Sequence, residues 1–154
     1  MAIRHWHLDA GSIRINNFPE NEIQIAIPIT LLAEYYQCTI DSTGVKLVVG
    51  FFNVDSELVK HIKSAYLLAN AGEPTATDAV VHVELYNWTD GNVIAYIEYA
   101  GDSGIKTTNI SADTLKQLVG KTLVARINVT TASATSGATQ AFSSIKLVIK
   151  LGIS

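Results

Sequence analysis

The sequence predicts an all-β protein: an antiparallel β-sandwich of jelly-roll or Greek-key type, with one short helix. Three observations carry that expectation. Val81, Val83 and Leu85 alternate with His82, Glu84 and Tyr86, and the same pattern runs through Val93–Tyr99, Leu123–Val129 and Leu147–Leu151. A period of two sends successive side chains to opposite faces, the mark of a half-buried strand. The turn Thr89-Asp90-Gly91-Asn92 joins two of these runs, and Asp-Gly tolerates the positive φ angles of a tight hairpin. The other connections are irregular and often long, which suits a sandwich; a closed barrel is the alternative.

Taken in order, Ser12 to Asn16 reads as a short strand and Asn17-Phe18-Pro19-Glu20-Asn21 as a break. Glu22 to Ile29 is a strand with Ile23, Ile25, Ile27 and Ile29 on one face. Pro28 cannot donate to a ladder, which places that strand at an edge or a bulge. Leu31 to Ile40, with Tyr35 and Tyr36, is a second apolar run, and Asp41-Ser42-Thr43-Gly44 turns the chain into a strand over Val45–Val54. Residues 56–71 fit two patterns. Leu58, Ile62, Ala65 and Leu68 make a helical face with Ser56 as cap and Gly72 after the end, while Ile62, Ser64, Tyr66 and Leu68 alternate as a strand. The strand over Lys63–Asn70 is adopted because its neighbours are strands. Gly72 to Asp78 is a polar loop. Asn109 to Val119 is the expected helix, with Ser111 capping it, Asp113 in its first turn and Gly120 closing it. Thr130 to Ser144, rich in Thr, Ala, Ser and Gly, reads as a long mobile hairpin loop. The expected organisation is a 1–17 extension followed by one domain over 18–154.

Composition narrows the function classes. The 154 residues suffice for a single core, and only 16% are charged, against the usual quarter or so. The 11 basic residues are scattered and the net charge is −3, so no nucleic-acid partner is expected. No apolar run is long enough to span a bilayer, the longest being Ile25–Ala33 with Pro28 inside it. Arg4, His5, His7 and Asp9 leave no signal-peptide core, and Cys38, the sole cysteine, permits no internal disulfide.

Several residue sets suggest chemistry. Gly101-Asp102-Ser103-Gly104 resembles the tetrapeptide around the nucleophile of chymotrypsin-like serine proteases, and His61, Asp78 and Ser103 follow that family's order. Ile105 and Lys106 depart from its pattern, and a glycine-rich turn after Ala100 is the simpler reading. His5, His7 and Asp9 would share one face of an extended segment at metal-ligand spacing. Asn53, Asp55 and Glu57 alternate oxygen ligands, and Asp90 and Asn92 flank a turn. Calcium is the cofactor such sets suit, with Asp55, Glu57 and Asp90 as its candidate ligands, although ordinary turn chemistry explains them too. Asn87, Asn109 and Asn128 head N-glycosylation triplets. Tyr86, Trp88 and Tyr96 cluster at the hairpin on the face of His82 and Glu84, as a platform for a glycan or as cross-strand pairs.

The stretches Ile62–Leu67 and Val81–Tyr86 resemble strands of carbohydrate-binding and adhesive β-sandwich modules. The whole pattern also resembles self-assembling β-sandwich subunits of archaeal virions and extracellular filaments. That resemblance implies a non-enzymatic structural protein that assembles with itself into a homo-oligomer, filament or shell, at an extracellular or virion surface. The expected mechanism is β-strand addition by Ile3–Asn16, with Ile3, Trp6, Leu8, Ile13 and Ile15 as anchors. A carbohydrate-binding module is the alternative.

Overall fold

The computed structural model describes residues 24–32 and 35–152. The assembly anchors Ile3, Trp6, Leu8, Ile13 and Ile15, the His5, His7 and Asp9 set, and the strand expected at Ser12–Asn16 lie outside those residues.

Among the described residues, nine strands and two short helices follow one another. The strands are β1 (Gln24–Leu32), β2 (Tyr36–Thr39), β3 (Gly44–Asn53), β4 (Ile62–Ala71), β5 (Val80–Asn87), β6 (Asn92–Ala100), β7 (Gly104–Ser111), β8 (Thr122–Thr131) and β9 (Thr139–Gly152); α1 (Ser56–His61) precedes β4 and α2 (Ala112–Lys116) follows β7. They form two antiparallel sheets. One has the order β1-β9-β4-β7, with β2 also paired to β9, and the other has the order β3-β8-β5-β6. β1 and β2 run one after the other along β9, from Gln24 opposite Gly152 to Thr39 opposite Thr139. Together they act as a single interrupted strand. The chain then crosses repeatedly between the sheets, giving the four-plus-four arrangement of a jelly roll.

The alternation decides what fills the interior. Leu67, Val83, Leu85, Leu123, Ile127, Leu147 and Ile149 all point between the sheets and are fully or almost fully buried. At one side the sheets meet where β1 approaches β3, and a Cβ at Gly50 would lie 2.5 Å from the Leu31 carbonyl oxygen. At the other side β6 turns into β7 through Gly101–Ser103. Pro28 sits in β1, which borders its sheet, as its missing N–H requires.

Three local expectations are corrected. Residues 56–71 combine both candidate patterns. Asp55, not Ser56, caps α1 by accepting from the Glu57 and Leu58 N–H groups, and the backbone turns extended at Ile62. The described residues therefore hold two short helices rather than one. Ser111 does cap α2, accepting from Thr114 N, but residues 109–111 belong to β7 because they pair with Tyr66, Ala65 and Ser64. The connection expected over 130–144 shrinks to 132–138, since Thr139–Ser143 pair with β2 and β4. Its backbone is held by Asp78, which accepts from Ser133 Oγ and Ala134 N, and by Asp41, which accepts from Gly137 N. A Ser/Thr/Gly composition carries no trace of such distant acceptors.

Candidate functional site on the outer face of the four-stranded sheet

The outer face of the β3-β8-β5-β6 sheet should be its wet side, yet Glu84 in its middle is only 3% exposed. Register explains how. Glu84 lies opposite Arg126 on β8 and Tyr96 on β6, while His82 lies opposite Asn128 and Glu98. Arg126 Nε donates to Glu84 Oε2, and Asn128 Nδ2 donates to Oε1 at 3.0 Å. His82 lies 3.7 Å from the same Oε1 through Nδ1 and 3.1 Å from Glu98 Oε2 through Nε2. Above these groups, the Arg126 guanidinium covers the Tyr86 ring at 3.7 Å, and the His82 ring stacks on Tyr96 at 4.3 Å. A buried carboxylate is tolerable only when it is paired and hydrogen-bonded, and both Glu84 oxygens have partners.

That network settles where the three platform aromatics stand. Tyr86 and Tyr96 do share a face, but each lies against a charged or titratable neighbour. Trp88 stands apart from them at the strand end, 54% exposed, and packs edge-on against Phe51 of β3, itself 67% exposed, with centroids 6.1 Å apart. Phe51 was not legible as a partner. It sits at the β3 register shift between Val49 and Phe52, where a simple alternation count fails.

The calcium candidates have separate employment. Asp55 caps α1, Glu57 pairs with Lys60 at 2.6 Å, and Asp90 accepts from Asn87 Nδ2 and from Lys121 Nζ, each at 2.9 Å. The hydrogen bonds from Lys121 and Asn87 hold the Asp90 carboxyl below the usual range. Among the described residues, no three His, Cys, Asp or Glu side chains come together as a metal site.

The protease-like order comes apart in space. His61 precedes β4, whereas Gly104 pairs with Ala71 at that strand's far end. Ten residues of strand separate the two by about 30 Å. Ser103 Oγ instead donates to Glu73 Oε1 at 2.5 Å, and Asp78 is engaged by Ser133 and Ala134. Of the glycosylation triplets, Asn87 is buried and bonded to Asp90, and Asn128 is committed to Glu84; Asn109 is exposed. No helix among the described residues is long and apolar enough to cross a membrane.

No protein-family model matches the chain, and no curated protein sequence matches it. Solved structures that the chain matches include that of infectious bursal disease virus Gt strain, at 12% identity and a TM-score of 0.47, covering 97% of this chain and 36% of that one. Another is the structure of the Gx strain of the same virus, at 14% identity and a TM-score of 0.43, covering 97% and 37%. This chain therefore spans little more than a third of the length of either.

Proposed function

We propose that this protein is a non-enzymatic structural subunit that assembles with itself by β-strand addition. The donor in this reading is Ile3–Asn16 of one copy, anchored by Ile3, Trp6, Leu8, Ile13 and Ile15. The observation that carries it is the open sandwich: β1 and β7 border one sheet, β3 and β6 the other, and no further strand of the described residues covers any of them. A border strand displays unpaired N–H and C=O groups, which an extended segment can satisfy regardless of its sequence. The sparse charge of the chain (16% of residues) places little like-charge repulsion between copies. An extracellular or virion surface is the setting this reading implies.

The test is deletion of residues 1–16, followed by sedimentation velocity and negative-stain microscopy at high protein concentration. The full chain should form large regular particles and the truncated one should remain a folded small species. Identical particles from both would remove the donor segment from the mechanism.

The exposed pair Phe51 and Trp88 favours a second reading, a glycan-binding module in which a sugar face stacks on Trp88. Glycan-array binding lost on Trp88→Ala, with assembly unchanged, would select it.

A further inference from the structure

Building on the assembly reading, we infer that β7 is the border that receives the added strand, and that its occupant is Ser12–Asn16 of a second copy. The other three borders are guarded, and β2, which continues the β1 border along β9, is only four residues long. In β1, Pro28 supplies no N–H, and the register slips between Thr30 and Leu32. In β3 the register shifts twice, and the Lys46 carbonyl already accepts from the Tyr36 hydroxyl at 2.8 Å. In β6 the Glu98 carbonyl accepts from Lys106 Nζ at 2.8 Å and the Ala100 N–H donates to Asp102 Oδ1 at 2.9 Å. Bulges, prolines and side-chain caps of this kind are what prevent edge pairing.

β7 has none of these devices beyond its first residue, where the Gly104 carbonyl accepts from the Tyr99 hydroxyl at 3.1 Å. It pairs with β4 without a break from Ser111 opposite Ser64 to Gly104 opposite Ala71. Its sequence, GIKTTNIS, contains no proline. No side chain of the described residues bonds the backbone of Thr107, Thr108 or Asn109. Lysine is the usual gatekeeper of an edge, but Lys106 is drawn away to Asp102 Oδ2 at 2.5 Å and to β6. Ile105, an apolar side chain on this border, is 72% exposed.

Ser12-Ile13-Arg14-Ile15-Asn16 complements that border. Extended, it puts Ile13 and Ile15 on one face, where a cross-strand position beside Ile105 covers apolar surface. Residues 17–23, between this segment and β1, span at most roughly 25 Å. The chain's own β7 lies three strand spacings, roughly 15 Å, from β1 across β9 and β4, so the tether length admits both its own and a neighbouring β7. A neighbouring β7 needs no crossing of that sheet, and paired cysteines distinguish the two.

The experiment compares three variants with the full chain by sedimentation velocity and microscopy. Thr107→Lys with Asn109→Lys should lower the assembled fraction roughly tenfold, as deletion of 1–16 should, by charging the open edge. Val93→Lys on β6 should leave assembly unchanged. If deletion disperses the particles and the β7 lysines do not, β7 is not the acceptor while the assembly reading stands. If deletion has no effect, both fall. A second measurement does not depend on the lysine variants folding. In a Cys38→Ser background, chains with Ile13→Cys are mixed with chains carrying Ile105→Cys or Asn109→Cys. A disulfide between the two kinds of chain supports the pairing. Its absence in assembled material, or a disulfide within one chain when both cysteines are placed together at high dilution, overturns it.

Discussion

The Tyr99 hydroxyl on β6 donates to the Ala69 carbonyl on β4, 2.9 Å away, and so ties one sheet to the other through the interior. The Gly104 carbonyl is a second acceptor at 3.1 Å. Burial pushes the phenol up to about 12, which keeps it a neutral donor at any ordinary pH. Tyr99→Phe removes the donor and leaves its acceptors in a dry site. The expected cost is about 1–2 kcal/mol in urea denaturation, with little change in the far-ultraviolet spectrum.

Glu84 should behave as a structural hub. Glu84→Ala strips Arg126 and Asn128 of their acceptor in a covered layer, at an expected cost of about 3 kcal/mol. Glu98→Ala, at a side chain 54% exposed, should cost under about 1 kcal/mol. Equal losses at the two positions by chemical denaturation would contradict the burial argument.

Gly50 and Gly120 both have positive φ, 73° and 75°. Only Gly50 is crowded; nothing lies within 4 Å of a Cβ at Gly120. Gly120→Ala should therefore cost about 1 kcal/mol of backbone strain. Gly50→Ala adds a clash with the Leu31 backbone and should cost about 3 kcal/mol or more, visible as the larger drop in melting temperature.

Acid should loosen the molecule through carboxylates that fasten loops. Ser133 and the Ala134 N–H hold Asp78 below its ordinary value, Lys121 and Asn87 do so for Asp90, and Lys106 does so for Asp102. A carboxyl with a lower folded than unfolded value leaves the folded state with fewer bound protons. Its stabilisation is complete above the unfolded value of about 3.9 and is lost as pH falls through the folded one. Urea midpoints measured downward from pH 6 should hold steady until about pH 4–5 and then fall. Asp78→Ala should start lower and fall less steeply.

Cys38 is buried, and burial pushes its thiol up to about 11. At pH 8 it should stay unreactive towards an aromatic disulfide reagent in the native protein and react at once in denaturant. Rapid native labelling would mean that β2 opens readily from β9.

Much of this architecture is local and was therefore legible. Val81, Val83 and Leu85 face the core because their alternation demands it. Gly91 makes the hairpin by taking a positive φ of 77°, and Ser111 caps α2 because a hydroxyl there meets the Thr114 N–H. The outer-face network was not legible. Glu84, Arg126 and Asn128 come from strands some forty residues apart, and alternation gives only the face on which each stands. The pairing of Trp88 with Phe51 was hidden by a bulge, and the anchoring of Ser133 by Asp78 was hidden by distance along the chain.

The sequence by itself determined most of the strands and their buried faces, because side-chain periodicity and turn chemistry act over a few residues. Only the tertiary structure decided which strands are neighbours, which carboxylate is sealed beneath Arg126 and which acceptors hold the loop around Ser133. Ladder hydrogen bonds are made by backbone groups common to every residue, so strand order is selected by packing the whole chain at once.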